Sequence, residues 1–143
     1  MDRCELSVII PAYNEEAVIG HTIDAVARYL QEIGLSHELL IIDDGSTDRT
    51  VAIAHDRAAQ MTALRVLAGG HQGKGGAVRR GMREARGTYL LFLDADLSTR
   101  IEEWEKFAPW LRNGSATGSR KFPSCGRMTS QPKCGSPGMR RVR

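Results

Sequence analysis

The chain has 143 residues, of which 41% are hydrophobic and 26% are charged. These values are typical of a globular domain with a buried core, and no apolar run approaches the roughly 18 residues of a membrane-spanning helix. The first residues also lack the apolar segment of a signal peptide, so we expect a cytoplasmic protein.

The formal net charge of +3 comes from the end of the chain. Five basic residues and no acidic residue lie in 123–143, which leaves residues 1–122 with 15 basic and 17 acidic residues and a formal charge of −2. This basic segment holds no aromatic residue for base stacking, so we expect no nucleic-acid partner. It is rich in Pro, Gly and Ser without helical or strand period, which predicts a disordered tail after one folded domain over 1–122.

The first part of the chain predicts two strand–helix units. A strand over Glu5–Ile10 ends at Pro11, and a helix over about residues 15–33 follows, with apolar positions at three- and four-residue steps. A second strand, His37–Asp43, is apolar along its core, as is typical of a strand covered on both faces. A helix over about residues 48–60 completes the second unit.

The next part continues the alternation of strands and helices. The predicted elements are a strand at Leu64–Ala68, a helix to Arg86 that a glycine-rich segment opens, a strand at Tyr89–Leu93, a helix over 99–112 that begins with a capping box, and a short strand at Ala116–Gly118. This alternation predicts an α/β fold with a mostly parallel sheet and helices on both faces.

Polar side chains follow the predicted strands at their carboxyl ends, where ligands bind in such sheets. The residues at these ends are Asn14, Glu15, Asp43, Asp44, Asp94 and Asp96. The sequence therefore predicts a polar site at one edge of the sheet.

Asp94 and Asp96 flank a single alanine directly after the fourth strand. Two carboxylates on such a turn can approach one divalent cation, and oxygen ligands suit Mg²⁺ or Mn²⁺. Such an ion would offset charge on a departing diphosphate. A solvated turn that leads into a helix is the alternative interpretation.

The second strand ends in two adjacent acids, Asp43 and Asp44. One interpretation is a turn in which Ser46 or Thr47 caps the following helix. However, adjacent carboxylates repel each other, and one capping residue is sufficient. The functional alternative is a carboxylate that accepts hydrogen bonds from a ribose or a base.

The glycine-rich segment Gly69–Gly76 precedes a helix and contains Lys74. Glycines let the backbone approach phosphates, and a helix N-terminus favours anions. Walker A does not fit, because Ala68 stands at its first glycine and Gly75 follows the lysine. The dinucleotide fingerprint does not fit either, since Val78 replaces its last glycine.

The first strand leads into the sequence P-A-Y-N-E-E. Pro11 can end the strand and Asn14 can cap the helix, which explains most of this segment without a ligand. Tyr13 is left unexplained, and an aromatic ring at the carboxyl end of a strand is suited to stacking on a base.

Taken in series, these motifs resemble family 2 glycosyltransferases of the GT-A fold. The segments that carry the resemblance are V-I-I-P-A-Y-N-E-E, I-I-D-D-G-S-T-D-R-T, G-K-G-G-A-V-R-R-G, L-F-L-D-A-D-L-S-T and G-S-R. They run in order from about Leu6 to Lys121, and within the family they are most similar to polyprenyl- or dolichyl-phosphate sugar transferases.

The resemblance implies a set of site residues. For nucleotide-sugar binding it implies Pro11, Tyr13, Glu15, Ile42, Asp44, Lys74, Asp94 and Ala95. For catalysis it implies Asp94, Asp96 and Arg120. For a Mg²⁺ or Mn²⁺ ion it implies Asp94, Asp96 and the position of Ser98, where the mannosyl branch often has Gln.

The reaction that the resemblance implies is metal-dependent transfer of a sugar, with inversion, from a nucleotide-diphosphate sugar to polyprenyl or dolichyl phosphate. D-A-D-L-S-T is more similar to the glucosyl branch, so UDP-glucose is favoured over GDP-mannose. The acceptor implies contact with the inner face of a membrane.

Two other interpretations stay open. The segment after G-S-R does not resemble the family's continuation, so the chain is also interpreted as a truncated donor-binding fragment with weak or no transfer. A nucleotidyltransferase can share the fold and the paired acids, but P-A-Y-N-E-E is unlike the phosphate loop of such enzymes.

Overall fold

The computed structural model describes residues 4–112 and 139–141. Its helices and strands, in chain order, are β1 (Leu6–Ala12), α1 (Ile19–Glu32), β2 (His37–Asp43), α2 (Thr50–Ala58), β3 (Leu64–Leu67), α3 (Lys74–Glu84), β4 (Tyr89–Phe92), a 3₁₀ helix (Ile101–Glu103), α4 (Trp104–Arg112) and β5 (Met139–Arg141). Within this described part, no helix combines the length and apolar character needed to cross a lipid bilayer.

The strands form one sheet in the order β3-β2-β1-β4-β5. β1 pairs in parallel with β2 and β4, and β2 pairs in parallel with β3, whereas β5 is antiparallel to β4. The chain runs outward from β1 to β3 and then returns to β4 on the other side of β1. This reversal of strand order leaves a crevice at the carboxyl ends of β1 and β4, the usual ligand position in such sheets.

Helices cover both faces of the sheet, as predicted. On one face, α1, α2 and the segment around Trp104 pack on alternate residues of β1, including Val8 and Ile10. On the other face, α3 packs through Ala77 against Ile9 and Leu40. Alternation of β1 side chains between two cores explains why its residues 8–12 are all apolar.

Two predicted bounds near the site are wrong. β1 does not end at Pro11, because Pro11 lies opposite Ile42 in the register and the Ala12 carbonyl still accepts a hydrogen bond from the Asp44 N–H at 2.9 Å. α1 begins at Ile19 and not at residue 15. The intervening residues form a turn, in which the Glu15 carbonyl accepts the N–H groups of two residues that follow it.

The predicted caps of two later helices also differ from the structure. The Thr99–Glu102 capping box is wrong, because the segment begins as a 3₁₀ helix without a side-chain cap. Neither Ser46 nor Thr47 caps α2, whose N-cap is Arg49, again without a side-chain hydrogen bond.

The remaining predictions concern the end of the chain. The predicted strand at Ala116–Gly118 and residues 123–138 lie outside the described residues. Met139–Arg141 forms an edge strand beside β4, so the prediction of no regular structure in 123–143 is wrong for these three residues. A sheet edge offers unpaired backbone groups to any extended segment, which local sequence period does not reveal.

Candidate functional site

A cavity of about 330 Å³ lies at the carboxyl ends of β1 and β4. Its walls come from the loops after β1, β2 and β4 and from the start of α3. The lining residues are Pro11, Ala12, Tyr13, Glu15, Asp44, Lys74, Ala77, Asp94, Ala95, Asp96 and Ser98. The fold thus brings together residues from separate sequence motifs.

The turn after β4 holds Asp94 and Asp96 in a defined conformation. The Leu97 N–H donates to the Asp94 carbonyl at 3.0 Å, and Leu97 has a φ of 54°. The buried Thr22 hydroxyl of α1 donates to the Ala95 carbonyl at 2.5 Å. The turn is therefore fixed both by its own backbone and by a helix on one face of the sheet.

Ser98 contacts both acids of this turn. Its N–H donates to Asp96 Oδ1 at 2.9 Å, and its hydroxyl donates to Asp94 Oδ2 at 3.3 Å. The hydrogen bond from the Ser98 backbone lowers the pKa of Asp96 below its ordinary value. The carboxylate form of Asp96, which is the form that binds cations, therefore persists to a lower pH than in an ordinary aspartate.

Lys74 brings a positive charge to the same cavity. It is the first residue of α3, and its ammonium forms an ion pair with Asp94 Oδ1. Gly73 precedes it with a φ of 81°, a conformation that suits glycine. The helix N-terminus and the ammonium both favour negative charge at this wall of the cavity.

The loops after β1 and β2 are held together by reciprocal hydrogen bonds. The Asn14 N–H donates to Ser46 Oγ at 2.9 Å, and the Thr47 N–H donates to Asn14 Oδ1 at 2.8 Å. The Glu15 N–H donates to Thr50 Oγ1 at 2.8 Å. The polar residues predicted as helix caps, Asn14, Ser46 and Thr47, therefore bind the neighbouring loop. The Thr50 hydroxyl holds the backbone of Glu15 at the cavity.

The two adjacent acids at the end of β2 have different partners. Asp43 folds its own turn, since its carboxylate accepts the N–H groups of Gly45 at 3.0 Å and Ser46 at 3.1 Å. Asp44 lines the cavity although its side chain is only 6% exposed. Of the pair, Asp44 is therefore the acid that lines this cavity.

Asp44 also anchors the glycine-rich segment. Its carboxylate accepts the backbone N–H groups of Gln72 at 2.6 Å and Gly73 at 2.9 Å. It also lies 2.9 Å from Nδ1 of His71. Sequence reasoning missed this anchoring role, because its partners lie nearly thirty residues away along the chain.

Tyr13 lies at the edge of the cavity with 47% of its surface exposed. Its ring is 4.8 Å from the ring of His71, centroid to centroid, with the two planes inclined by 42°. Sequence reasoning also missed His71 as a site residue. The available signal was an aromatic side chain inside a segment otherwise rich in glycine.

Among the described residues, one predicted site residue, Ile42, does not line this cavity. Ile42 lies in an adjacent cavity of about 200 Å³, which Asp44 and Ala77 separate from the first. Arg120 lies outside the described residues. The adjacent cavity is lined by Ile42, Asp43, Asp44, Gly69, Gly70, Gln72, Gly76, Ala77 and Arg80.

The donors around Asp94 fit a divalent cation that a substrate phosphate helps to bind. Among the described residues, no three His, Cys, Asp or Glu side chains form a group that could hold a metal ion. Two carboxylates and the Ser98 hydroxyl nevertheless line one cavity. Mg²⁺ is commonly bound by one or two carboxylates, with phosphate oxygens and water completing its shell.

Comparison with protein families gives one match that covers most of the chain. Residues 7–133 match the family described as "Glycosyl transferase family 2". The chain is 39% identical, over 134 residues, to the dolichyl-phosphate beta-glucosyltransferase of Drosophila melanogaster. That alignment covers 81% of this chain and 40% of the fly protein, so the chain spans less than half of that relative's length.

Two solved structures of similar fold are complexes with a nucleotide or a nucleotide sugar and Mn²⁺. A glucosyl-3-phosphoglycerate synthase from Mycobacterium tuberculosis, solved with Mn²⁺, UDP and phosphoglyceric acid, is 30% identical with a TM-score of 0.55, covering 81% of this chain and 40% of that one. A mannosyltransferase from Pyrobaculum calidifontis, solved with GDP-Man and Mn²⁺, is 28% identical with a TM-score of 0.58, covering 67% and 28%. The predicted GT-A fold class is thereby confirmed.

Proposed function

Because the chain belongs to glycosyl transferase family 2, we propose that its 330 Å³ cavity binds a nucleotide-diphosphate sugar. The observation that supports this most is the meeting of Tyr13, Asp44, Lys74, Asp94 and Asp96 around one cavity. These side chains offer an aromatic surface, a hydrogen-bond acceptor, a cation and two anions. A nucleotide sugar presents a base, a ribose and a diphosphate that match them.

We propose one orientation for the nucleotide sugar along this edge of the sheet. The base and ribose lie toward Tyr13, Asp44 and the adjacent cavity that contains Ile42. The diphosphate lies toward Lys74, where the ammonium and the N-terminus of α3 favour negative charge. The sugar then lies near Asp94 and Ala95, at the turn after β4.

The residues proposed to hold Mg²⁺ or Mn²⁺ are Asp94 and Asp96, with Ser98 beside them. Such an ion, when bound, neutralises charge on the diphosphate as it leaves. The Mn²⁺ in the two related complexes supports a divalent cation but does not choose between the two metals. The chain itself supplies the Asp96 carboxylate for the cation and the Lys74 ammonium for the diphosphate.

The proposed reaction is transfer of the sugar to a polyprenyl or dolichyl phosphate. An anionic phosphate oxygen of the acceptor forms a bond to the anomeric carbon while the bond to the nucleoside diphosphate breaks, which inverts the configuration. Since the acceptor oxygen is already ionised, no side-chain base has to remove a proton. The name of the fly relative supports this acceptor, and such an acceptor would bring the protein to a membrane surface. Arg120 remains a prediction for the acceptor or diphosphate.

UDP-glucose is proposed as the donor ahead of GDP-mannose. The D-A-D-L-S-T segment and the glucosyltransferase name of the fly relative both support this choice. The GDP-Man complex of the Pyrobaculum enzyme keeps GDP-mannose as the alternative to be tested.

A thermal-shift screen of the purified chain tests donor, base and metal together. UDP, UDP-glucose, GDP and GDP-mannose are each compared with Mn²⁺, with Mg²⁺ and with EDTA. We expect UDP and UDP-glucose to raise the melting temperature by several degrees with a metal ion, because a ligand at 100 times its Kd stabilises by about 2.7 kcal/mol. If none of these ligands stabilises the chain with either metal, the proposed function is wrong.

The alternative interpretation, donor binding without transfer, needs a separate assay. The chain is incubated with radiolabelled UDP-glucose, Mn²⁺ and vesicles that contain dolichyl phosphate, and the lipid fraction is counted. Labelled lipid supports transfer by this chain. Donor binding without labelled lipid supports the alternative.

A further inference from the structure

The rings of Tyr13 and His71 are in contact, but only Tyr13 is a lining residue of the cavity. Tyr13 lines the cavity, whereas His71 is absent from its described lining. The two ring centroids are nevertheless 4.8 Å apart, within the range of favourable aromatic contacts. His71 therefore contacts the Tyr13 ring without lining the cavity itself, and Tyr13 keeps 47% of its surface exposed.

The orientation of the His71 ring is set by Asp44. Nδ1 of His71 lies 2.9 Å from Asp44 Oδ2 and 3.1 Å from the Asp44 carbonyl oxygen. Both atoms are acceptors, so this hydrogen-bond network assigns the proton to Nδ1. Asp44 is itself buried and held by two backbone N–H groups of the same segment, which makes it a rigid support.

The backbone of His71 also lies close to Gly45, in the loop after β2. A Cβ added to Gly45 would lie 2.9 Å from the His71 backbone nitrogen, and Gly45 has a φ of 85°. Glycine at this position lets the two segments approach closely. The backbone and the ring of His71 are thus both held against the loop after β2, which contains Asp44 and Gly45.

We infer that His71 is a positioning residue, which holds the Tyr13 ring at the angle on which a flat heteroaromatic base stacks. This inference rests on the proposed function, because it names the part of the nucleotide that Tyr13 recognises. The diphosphate is bound elsewhere in the cavity, by Lys74 and the turn after β4. Loss of His71 should therefore weaken binding of the base and leave diphosphate binding unchanged.

Binding of UDP and of inorganic pyrophosphate, each with Mn²⁺, separates these two effects by calorimetry. Two variants are compared with the wild type. His71→Ala removes both the ring and the hydrogen bond to Asp44, whereas His71→Asn keeps a side-chain N–H for Asp44 but removes the ring. His55→Ala is the matched control, since His55 is an exposed histidine on α2.

We expect both His71 variants to bind UDP about 3- to 10-fold more weakly, which corresponds to the stabilisation of one aromatic pair. Their affinity for pyrophosphate should change less than about 2-fold, and His55→Ala should bind both ligands as the wild type does. Equal losses for UDP and pyrophosphate would show that His71 only supports the loop, which overturns the inference. Unchanged UDP affinity in His71→Asn also overturns it.

Aromatic NMR signals of the tyrosines provide a readout that needs no ligand. The chain has three tyrosines, at positions 13, 29 and 89. Both His71 variants should shift the ring signals of Tyr13 and leave those of the other two in place; an unshifted Tyr13 signal contradicts the positioning role. If the wild type binds neither UDP nor GDP, the proposed function fails, and base recognition by Tyr13 fails with it.

Discussion

Lys74 forms an ion pair with Asp94 across the cavity, which joins the first residue of α3 to the turn after β4. The Asp94 carboxylate also accepts the Ser98 hydroxyl at 3.3 Å. A diphosphate that enters the cavity competes with Asp94 for the ammonium of Lys74, and a divalent cation competes with the ammonium for Asp94. The same lysine should therefore oppose binding of a free metal ion and support binding of the nucleotide.

Lys74→Gln should change these two affinities in opposite directions. We expect Mn²⁺ alone to bind about 2- to 5-fold more tightly, because an exposed ion pair contributes up to about 1 kcal/mol. UDP with Mn²⁺ should bind about 10-fold more weakly, since the diphosphate loses a charged hydrogen-bond donor. Calorimetry measures both, with Lys106→Gln on α4 as the control. Weaker binding of Mn²⁺ alone by Lys74→Gln would contradict this competition.

Asp96→Ala should remove the metal-dependent part of nucleotide binding without unfolding the domain. Asp96 is exposed at the cavity, so its loss leaves no buried group without a partner. Calorimetry should then give the same UDP affinity with Mn²⁺ as with EDTA, at a melting temperature within about 2 °C of the wild type. Asp56→Ala, at an exposed position on α2, serves as the control. Wild-type Mn²⁺-dependent affinity in Asp96→Ala would exclude Asp96 from the metal site.

The position of the site was predictable because it depends on strand order. Polar residues directly after apolar strands must meet at one edge of a parallel sheet, and Asp44, Asp94 and Asp96 do so. The separation of Ile42 into the adjacent cavity was not predictable, since it depends on how side chains of α3 pack against β2. Local sequence predicts where a strand ends, but it does not predict which side chains separate two cavities.

The hydrogen-bond partners of the polar loop residues could not be predicted from local sequence either. Asn14 and Ser46 are each suited to cap their own helix, and a single sequence favours such local contacts. In the structure they bind each other across 32 residues. β5 could not be predicted from local sequence for the same reason. Its three residues have no strand period of their own, and they form a strand by pairing with the edge of β4.

Gly45→Ala should destabilise the domain, whereas Gly70→Ala should not. Gly45 has a φ of 85°, and an added Cβ would lie 2.9 Å from the backbone nitrogen of His71. Gly70 has no neighbouring atom within 4 Å of an added Cβ. We expect Gly45→Ala to lose about 1–3 kcal/mol of unfolding free energy from backbone strain and this contact. Urea denaturation measures both variants, and equal midpoints would contradict the close approach of Gly45 and His71.

Asp48→Asn should destabilise the domain at neutral pH by an amount that shrinks in acid. Asp48 accepts the Thr50 N–H at 2.9 Å, the Thr50 hydroxyl at 2.5 Å and the Glu16 N–H at 3.2 Å. Desolvation by itself raises the pKa of Asp48, but these hydrogen bonds outweigh it and lower the pKa below its ordinary value of 3.8.

Because the pKa of Asp48 is lower in the folded than in the unfolded chain, its stabilisation is complete above about pH 3.8 and is lost as the pH falls through the folded-state value. Urea midpoints of the wild type and Asp48→Asn should therefore differ most near pH 7 and converge as the pH falls below about 3.8. Asp56→Asn, on the exposed face of α2, controls for the loss of a surface charge. A gap between wild type and Asp48→Asn that stays constant or widens in acid would show that the charge of Asp48 does not hold the two loops together.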